Sequence, residues 1–243
     1  MSERPGELRV YDSPADVARA LAELFVRTGT ESIVARGTFT VALAGGSTPK
    51  AAYALLGAEY ADALDWGNVD IFFGDERCVP PDDDLSNYKT ADDAFLSHID
   101  IPSENVHRMH GEMDPADAAA EYRRDVIEVL GPDPRFDLIM LGMGPDGHTA
   151  SLFPGTDPTT DDDALVRAVY SSSQQQWRIT LTPKVINNAR CVVFATEGAA
   201  KRAMLKRVRE GTYDPVQTPA QIVAPHDGAL IWLVDSAAVT NES

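Results

Sequence analysis

The stretch FDLIMLGMGPDGHTASLFPG, residues 136–155, carries the pattern from which the fold is read. Its opening, Phe136 to Leu141, is a near-continuous apolar run closed by Gly142. A half-exposed strand alternates apolar and polar residues; an unbroken run of this length points to a strand buried on both faces. The same unit recurs along the chain: Phe39 to Leu43 stops at Gly45-Gly46, and Val69 to Phe73 stops at Gly74. Val166 to Tyr170, Arg178 to Leu181, Cys191 to Ala195 and Leu230 to Val234 read as further strands. Helical stretches lie between them. Pro49 to Leu56 has Ser47 or Thr48 as its expected N-cap and Pro49 in its first turn. Pro115 to Leu130 places Ala118, Tyr122, Val126 and Val129 near one face and is stopped by Gly131-Pro132. Pro183 to Asn188 and Ala199 to Arg209 also read as helices. Alternation of this kind predicts an α/β fold, a mainly parallel sheet with helices on both faces, in a single domain over residues 1–243. Ligands in such sheets sit beyond the carboxyl ends of the strands.

The chain has 243 residues, with 38 acidic against 21 basic side chains and a formal net charge of −17. That charge argues against a nucleic-acid footprint, which needs a basic face, and against adhesion to anionic membranes. Cys78 and Cys191 have no C-x-x-C spacing and read as reduced thiols. Residues Met1 to Val10 contain no apolar signal segment, and no run approaches the roughly 18 residues of a membrane span. A cytoplasmic protein is expected. The acidic segments Asp82–Asp84 and Asp157–Asp163 read as solvated loops, and Lys201, Arg202, Lys206, Arg207 and Arg209 as one solvated helix face. His98, His107 and His110 lie in polar stretches and read as surface residues, and His226 precedes a turn.

Three strand ends carry unusual chemistry. Gly45-Gly46-Ser47-Thr48-Pro49 lets the backbone turn sharply before a helix, and a helix N-terminus is a ready anion site. No Walker G-x-x-x-x-G-K-[ST] pattern is present. Gly74-Asp75-Glu76-Arg77-Cys78-Val79-Pro80 sets two acids and an arginine at a second strand end, able to pair with one another or to hold a polar substrate. The third, GMGPDG at 142–147, formally matches G-x-G-x-x-G. However, Pro145 sits in its turn, Pro154-Gly155 stops any helix early, and the acids that follow lie in a loop. A dinucleotide site is therefore rejected. The chemistry of this loop rests on Asp146 and His148. An imidazole with an ordinary pKa of about 6.5 is largely neutral near pH 7 and able to take a proton from water. The aspartate two residues away could orient it.

In this order and at these strand ends, GGSTP at 45–49, DERCVP at 75–80 with Ser86-Asn87-Tyr88, and GMGPDGHTASLFPG at 142–155 resemble the 6-phosphogluconolactonase family. Softer likenesses are RITLTP at 178–183, EGAAK at 197–201 and the His226–Asp235 segment. The resemblance implies a Rossmann-like three-layer sandwich and hydrolysis of 6-phospho-D-glucono-1,5-lactone, without metal or organic cofactor. Glucosamine-6-phosphate deaminases share that fold, but their histidine loop continues I-A-F-N-E-P, with a glutamate that assists ring opening. Here Phe153 stands in its place and can neither give nor take a proton. A sugar-phosphate sensor domain is a further alternative; it would come with an additional DNA-binding segment, for which the α/β pattern leaves no spare residues. By the resemblance, His148 is the general base, with Asp146 or Asp75 fixing its tautomer. Gly45, Gly46, Ser47 and Thr48 grip the phosphate, with Arg178 and Lys201 as cationic anchors. Arg77 holds either the phosphate or the charge developing at the lactone carbonyl. The expected partner is the small phosphosugar lactone, with no nucleic acid or membrane, and the protein a monomer or small homo-oligomer.

Overall fold

A computed structural model describes residues 6–156 and 164–240. Six strands form one parallel sheet, in the order β1 (Glu7–Tyr11), β9 (Ala229–Asp235), β8 (Cys191–Thr196), β5 (Leu138–Leu141), β2 (Phe39–Leu43) and β3 (Val69–Phe73). All five residues of β2 and all four of β5 are buried, as two-sided burial requires. Successive residues of β5 join opposite cores: Leu138 and Met140 face one, Ile139 and Leu141 the other. Helices α1 (Pro14–Arg36), α2 (Ser47–Glu59) and α3 (Asn87–Ala94) contribute to the Leu138 side. Helices α4 (Pro115–Leu130), α5 (Pro183–Asn188) and α6 (Arg202–Glu210) contribute to the Ile139 side. The expected mainly parallel α/β sandwich is observed.

Local readings need correction in several places. A second sheet of three antiparallel strands, β4 (Asp75–Arg77), β7 (Gln176–Leu181) and β6 (Val166–Ser171), stands beside the parallel one. Asp75–Arg77 therefore forms a strand where a loop was expected, because it finds β7 as a partner in the register Asp75↔Thr180 and Arg77↔Arg178. Such pairing between segments a hundred residues apart leaves no local trace. Strand β5 starts at Leu138 and not at Phe136, since the Asp137 carboxylate turns back to the Thr40 N–H and hydroxyl and pairs with Arg36 and Arg190. Helix α2 runs from Ser47 to Glu59, and its N-cap is Gly46 (φ +108°) rather than Ser47 or Thr48. Ala199–Lys201 is a 3-10 turn, so Lys201 precedes α6, and Arg202 donates to the Ala237 carbonyl instead of facing water. Helix α1, opened by Ser13-Pro14 and closed by Gly37 in the left-handed region, has its full cap signature in the sequence. His107 is half-buried, stacked on Phe72 at 4.2 Å and bonded to Asp70, and is not a surface residue. Asp157–Asp163 lies outside the described residues. Among the described residues no helix is long and apolar enough to cross a membrane.

Strand order places the site. From β2 the chain moves outward to β3 on one side, then crosses back to β5 on the other. The connections thus diverge between β2 and β5, and a crevice opens at their carboxyl ends.

Candidate active site

A cavity of about 370 Å³ fills that crevice. Gly45, Gly46, Ser47 and Thr48 after β2, Asp75 and Arg77 on β4, His148 after β5, Arg178 on β7 and Lys201 beyond β8 all line it. Nine of the ten expected site residues therefore line one cavity. The tenth, Asp146, stands directly behind His148.

The His148 loop is built to hold a ring. Asp146 Oδ1 lies 2.6 Å from His148 Nδ1 and also accepts the His148 backbone N–H at 3.1 Å. Burial alone would raise the Asp146 carboxyl, but the charge and hydrogen bonds of His148 outweigh it and hold the group below the usual carboxylate range. An ionised Asp146 can only accept, so in the neutral imidazole the proton sits on Nδ1 and Nε2 keeps its lone pair. The loop closes on itself through Gly144 N–H to His148 O and Thr149 Oγ1 to Gly142 O. Ala150 is forced to φ +46°, a conformation costly for a residue with a Cβ. The glycine at 144 is required by space: a Cβ there would lie 2.1 Å from His148 Nδ1 and 2.7 Å from Asp146 Oδ1. Gly144→Ala is expected to displace the pair and lower turnover about 10²-fold with unchanged circular dichroism.

Asp75 does a different job from orienting His148. Its Oδ2 accepts the Ser151 hydroxyl at 2.6 Å and lies 3.8 Å from Arg178 Nη1, while Asn87 Nδ2 donates to its carbonyl at 2.8 Å. It ties the His148 loop, through Ser151, to α3 and to β7. Arg178 is 5 % exposed, yet it lines the cavity and its Nε has no partner among the described residues. Burial pushes its guanidinium down and Asp75 opposes this. Gln174, in the β6–β7 turn, accepts from Arg178. Arg77 does not pair with its neighbouring acids; it donates to the Leu85 carbonyl and reaches the cavity wall beside Arg178. Glu76 points the other way, buried, accepting from Ser86 Oγ and from the N–H groups of Arg77, Asn87 and Tyr88. It anchors the start of α3.

Across the cavity, the Tyr53 hydroxyl bridges the N–H and carbonyl of Ala44 and fixes the entry to the glycine loop. Ser47 and Thr48 then place first-turn N–H groups where the helix supplies no carbonyl. Burial lowers the Lys201 ammonium, and the charge of Asp146 opposes this. Both thiols are poor nucleophiles, since burial pushes Cys78 and Cys191 up to about 11. His226 is exposed and lines no part of the cavity. Among the described residues no group of three His, Cys, Asp or Glu side chains could hold a metal.

A sequence model for glucosamine-6-phosphate isomerases/6-phosphogluconolactonase matches residues 12–232. The chain belongs to this family. It is 41 % identical to the 6-phosphogluconolactonase of Synechocystis sp. over 93 % of both chains. The solved 6-phosphogluconolactonase of Trypanosoma cruzi superposes with a TM-score of 0.88 at 30 % identity, covering 98 % of this chain and 97 % of that one. A monomeric glucosamine-6-phosphate deaminase superposes almost as well, at 0.82 over 96 % and 98 % of the two chains, but with 20 % identity, which speaks for the fold alone.

Residue-by-residue reading missed Gln174, Glu197, Ser151 and Asn87. Gln174 and Glu197 line the cavity, whereas Ser151 and Asn87 act behind it through Asp75. Ser151, Asn87 and Glu197 belong to the family-like motifs, so their presence was visible and their partners were not.

Proposed function

We propose that this protein hydrolyses 6-phospho-D-glucono-1,5-lactone to 6-phospho-D-gluconate, the second step of the oxidative pentose phosphate pathway. The observation that carries the reading is the His148–Asp146 pair at 2.6 Å, in a cavity shared with Arg77, Arg178, Lys201 and the N-terminus of α2. It joins a general base to an anion-holding wall. Phe153, where a deaminase has its glutamate, is 4 % exposed and packs on the His148 ring with centroids 4.8 Å apart. The likeness to lactonases over nearly the whole chain supports the same substrate.

In this reading His148 Nε2 takes a proton from water as the oxygen attacks C1 of the lactone. Asp146 steadies the imidazolium that forms, as a buried carboxylate does in other base–carboxylate pairs. The tetrahedral intermediate collapses with cleavage of the C1–O5 bond, and the imidazolium returns its proton to the leaving O5. Water adds across the ester and no covalent intermediate forms. The 6-phosphate is held by Gly46, Ser47 and Thr48 with Lys201, while Arg77 and Arg178 supply further positive charge in the same cavity. Asp75 keeps Arg178 and the His148 loop in register. We place the activity in the cytoplasm.

Generating the lactone in place with glucose-6-phosphate dehydrogenase and following its disappearance tests the proposal. A parallel assay follows ammonia from glucosamine 6-phosphate. Lactone hydrolysis without ammonia is the expected result, and ammonia without lactone hydrolysis would reverse the reading. Lys201→Ala is expected to raise KM roughly tenfold, as loss of a charged hydrogen bond does, with a smaller change in kcat. An unchanged KM would remove Lys201 from the phosphate grip.

A further inference from the structure

The cavity also contains a carboxylate for which the reaction above has no use. Glu197 lines it directly after β8, and Glu197 Oε1 accepts the Ser47 hydroxyl proton at 3.2 Å. Ser47 opens α2, whose N-cap Gly46 makes no side-chain cap bond and whose first turn has no acidic residue. Helices α1 and α4 differ: each has a side-chain cap, Ser13 or Asp114, and its own first-turn acid, Asp16 or Asp117. At α2 the negative group comes instead from across the cavity. Among the described residues no ion pair involves Glu197, not even with Lys201 four positions on. A lone hydroxyl is thus the contact that holds this charge over the positive end of α2.

We propose that Glu197 is a specificity-determining residue that stands in for an anion at the α2 N-terminus, so that a bare oxyanion is disfavoured and a phosphate ester on a polyhydroxylated sugar is accepted. The sugar half of this inference rests on the lactonase reading. An anion arriving at Ser47 meets the Glu197 charge and finds the only Ser47 hydroxyl proton already donated. Sulfate has no proton with which to satisfy the carboxylate. A sugar phosphate does: one of its hydroxyls donates to Glu197, and the Ser47 proton is released to the phosphate. Glu197 still accepts a proton and Ser47 still donates one, and the charge repulsion is offset by contacts that sulfate cannot make.

The test is calorimetric titration of sulfate into the wild type and Glu197→Gln, alongside KM for the phosphorylated lactone. Removing one charge beside the site should tighten sulfate about tenfold, while KM changes much less, so that the ratio of sulfate Kd to KM falls about tenfold. Glu197→Ala, which also lacks the charge, should tighten sulfate likewise. Sulfate affinity that is unchanged or weaker in both variants overturns the role of Glu197. Sulfate binding does not depend on turnover, so the two readings fail separately. A wild type that turns over the lactone while the variants bind sulfate no better defeats the Glu197 inference alone. Tighter sulfate binding in a protein that hydrolyses no lactone defeats the lactonase reading, and leaves Glu197 as a filter against bare anions.

Discussion

Replacing His148 by alanine is expected to lower lactone turnover by about 10²–10⁴-fold, the usual cost of losing a general base. The loss should fall on kcat. KM should move little, because the anion-holding groups Ser47, Thr48 and Lys201 belong to other elements. The fold should persist, since His148 sits in a cavity-lining loop whose flanking residues Met143 and Leu152, and not the imidazole, belong to the Ile139-side core. Steady-state kinetics with the lactone generated in place, together with a thermal melt, separate the two effects. Near-normal turnover in a folded His148→Ala protein would remove the base assignment. Asp146→Asn sharpens the test. It preserves shape but offers Nδ1 no charged acceptor, so the imidazolium formed during attack loses its partner and kcat should fall while the loop stays closed.

Asp75→Ala should be the most damaging substitution for stability among the site residues, at about 3 kcal/mol in denaturant unfolding. Three groups depend on that side chain or its setting: the Ser151 hydroxyl at 2.6 Å, Arg178 at 3.8 Å, and Asn87, which spans from the Asp75 carbonyl to the glycine loop. The Asp75 and Arg178 side chains are 10 % and 7 % exposed, so alanine leaves a buried cation without its counter-charge. Unpairing a buried ion pair costs far more than the pair itself contributes. Asn87 adds a steric link, since its Oδ1 lies 2.0 Å from where a Cβ on Gly45 would sit. The damage therefore extends from β4 to both neighbouring loops. Asp75→Asn, which keeps the hydrogen-bonding shape, should lose less stability but still weaken substrate binding through a displaced Arg178. A wild-type unfolding curve for Asp75→Ala would show that Asp75 is not the hub described.

Much of the site was legible because it is assembled from strand ends. Each glycine that closes an apolar run marks where the backbone turns at the rim of a parallel sheet, and parallel strands put all such rims on one edge. The reach of that argument is seen at Gly45–Thr48 and at His148, which lie a hundred residues apart and share one cavity. At Asp75–Arg77 it gives the place on the cavity but not the strand that these residues pair with. These residues belong to a separate antiparallel sheet whose other strands, β6 and β7, come from residues 166–181. Two open alternatives were decided there. Asp146, and not Asp75, contacts the imidazole; and Arg77 lies beside Arg178 instead of pairing with Asp75 or Glu76. Glu197 was missed for a related reason, as a glutamate after a strand has no distinguishing mark until the Ser47 hydroxyl is found on it.

By itself the sequence determined the parallel α/β architecture and the edge on which the candidate site lies, and it singled out the His148–Asp146 pair. These follow from apolar periodicity, from glycine at strand ends and from two residues only two positions apart, all of which are local properties of the chain. Only the tertiary structure decided which charges neutralise which. That depends on strand register, on burial and on a few ångströms between segments distant in sequence. A net charge of −17 accordingly describes the exterior. The balance inside the cavity, where Arg77, Arg178 and Lys201 meet Asp75 and Glu197, is set by how the loops converge.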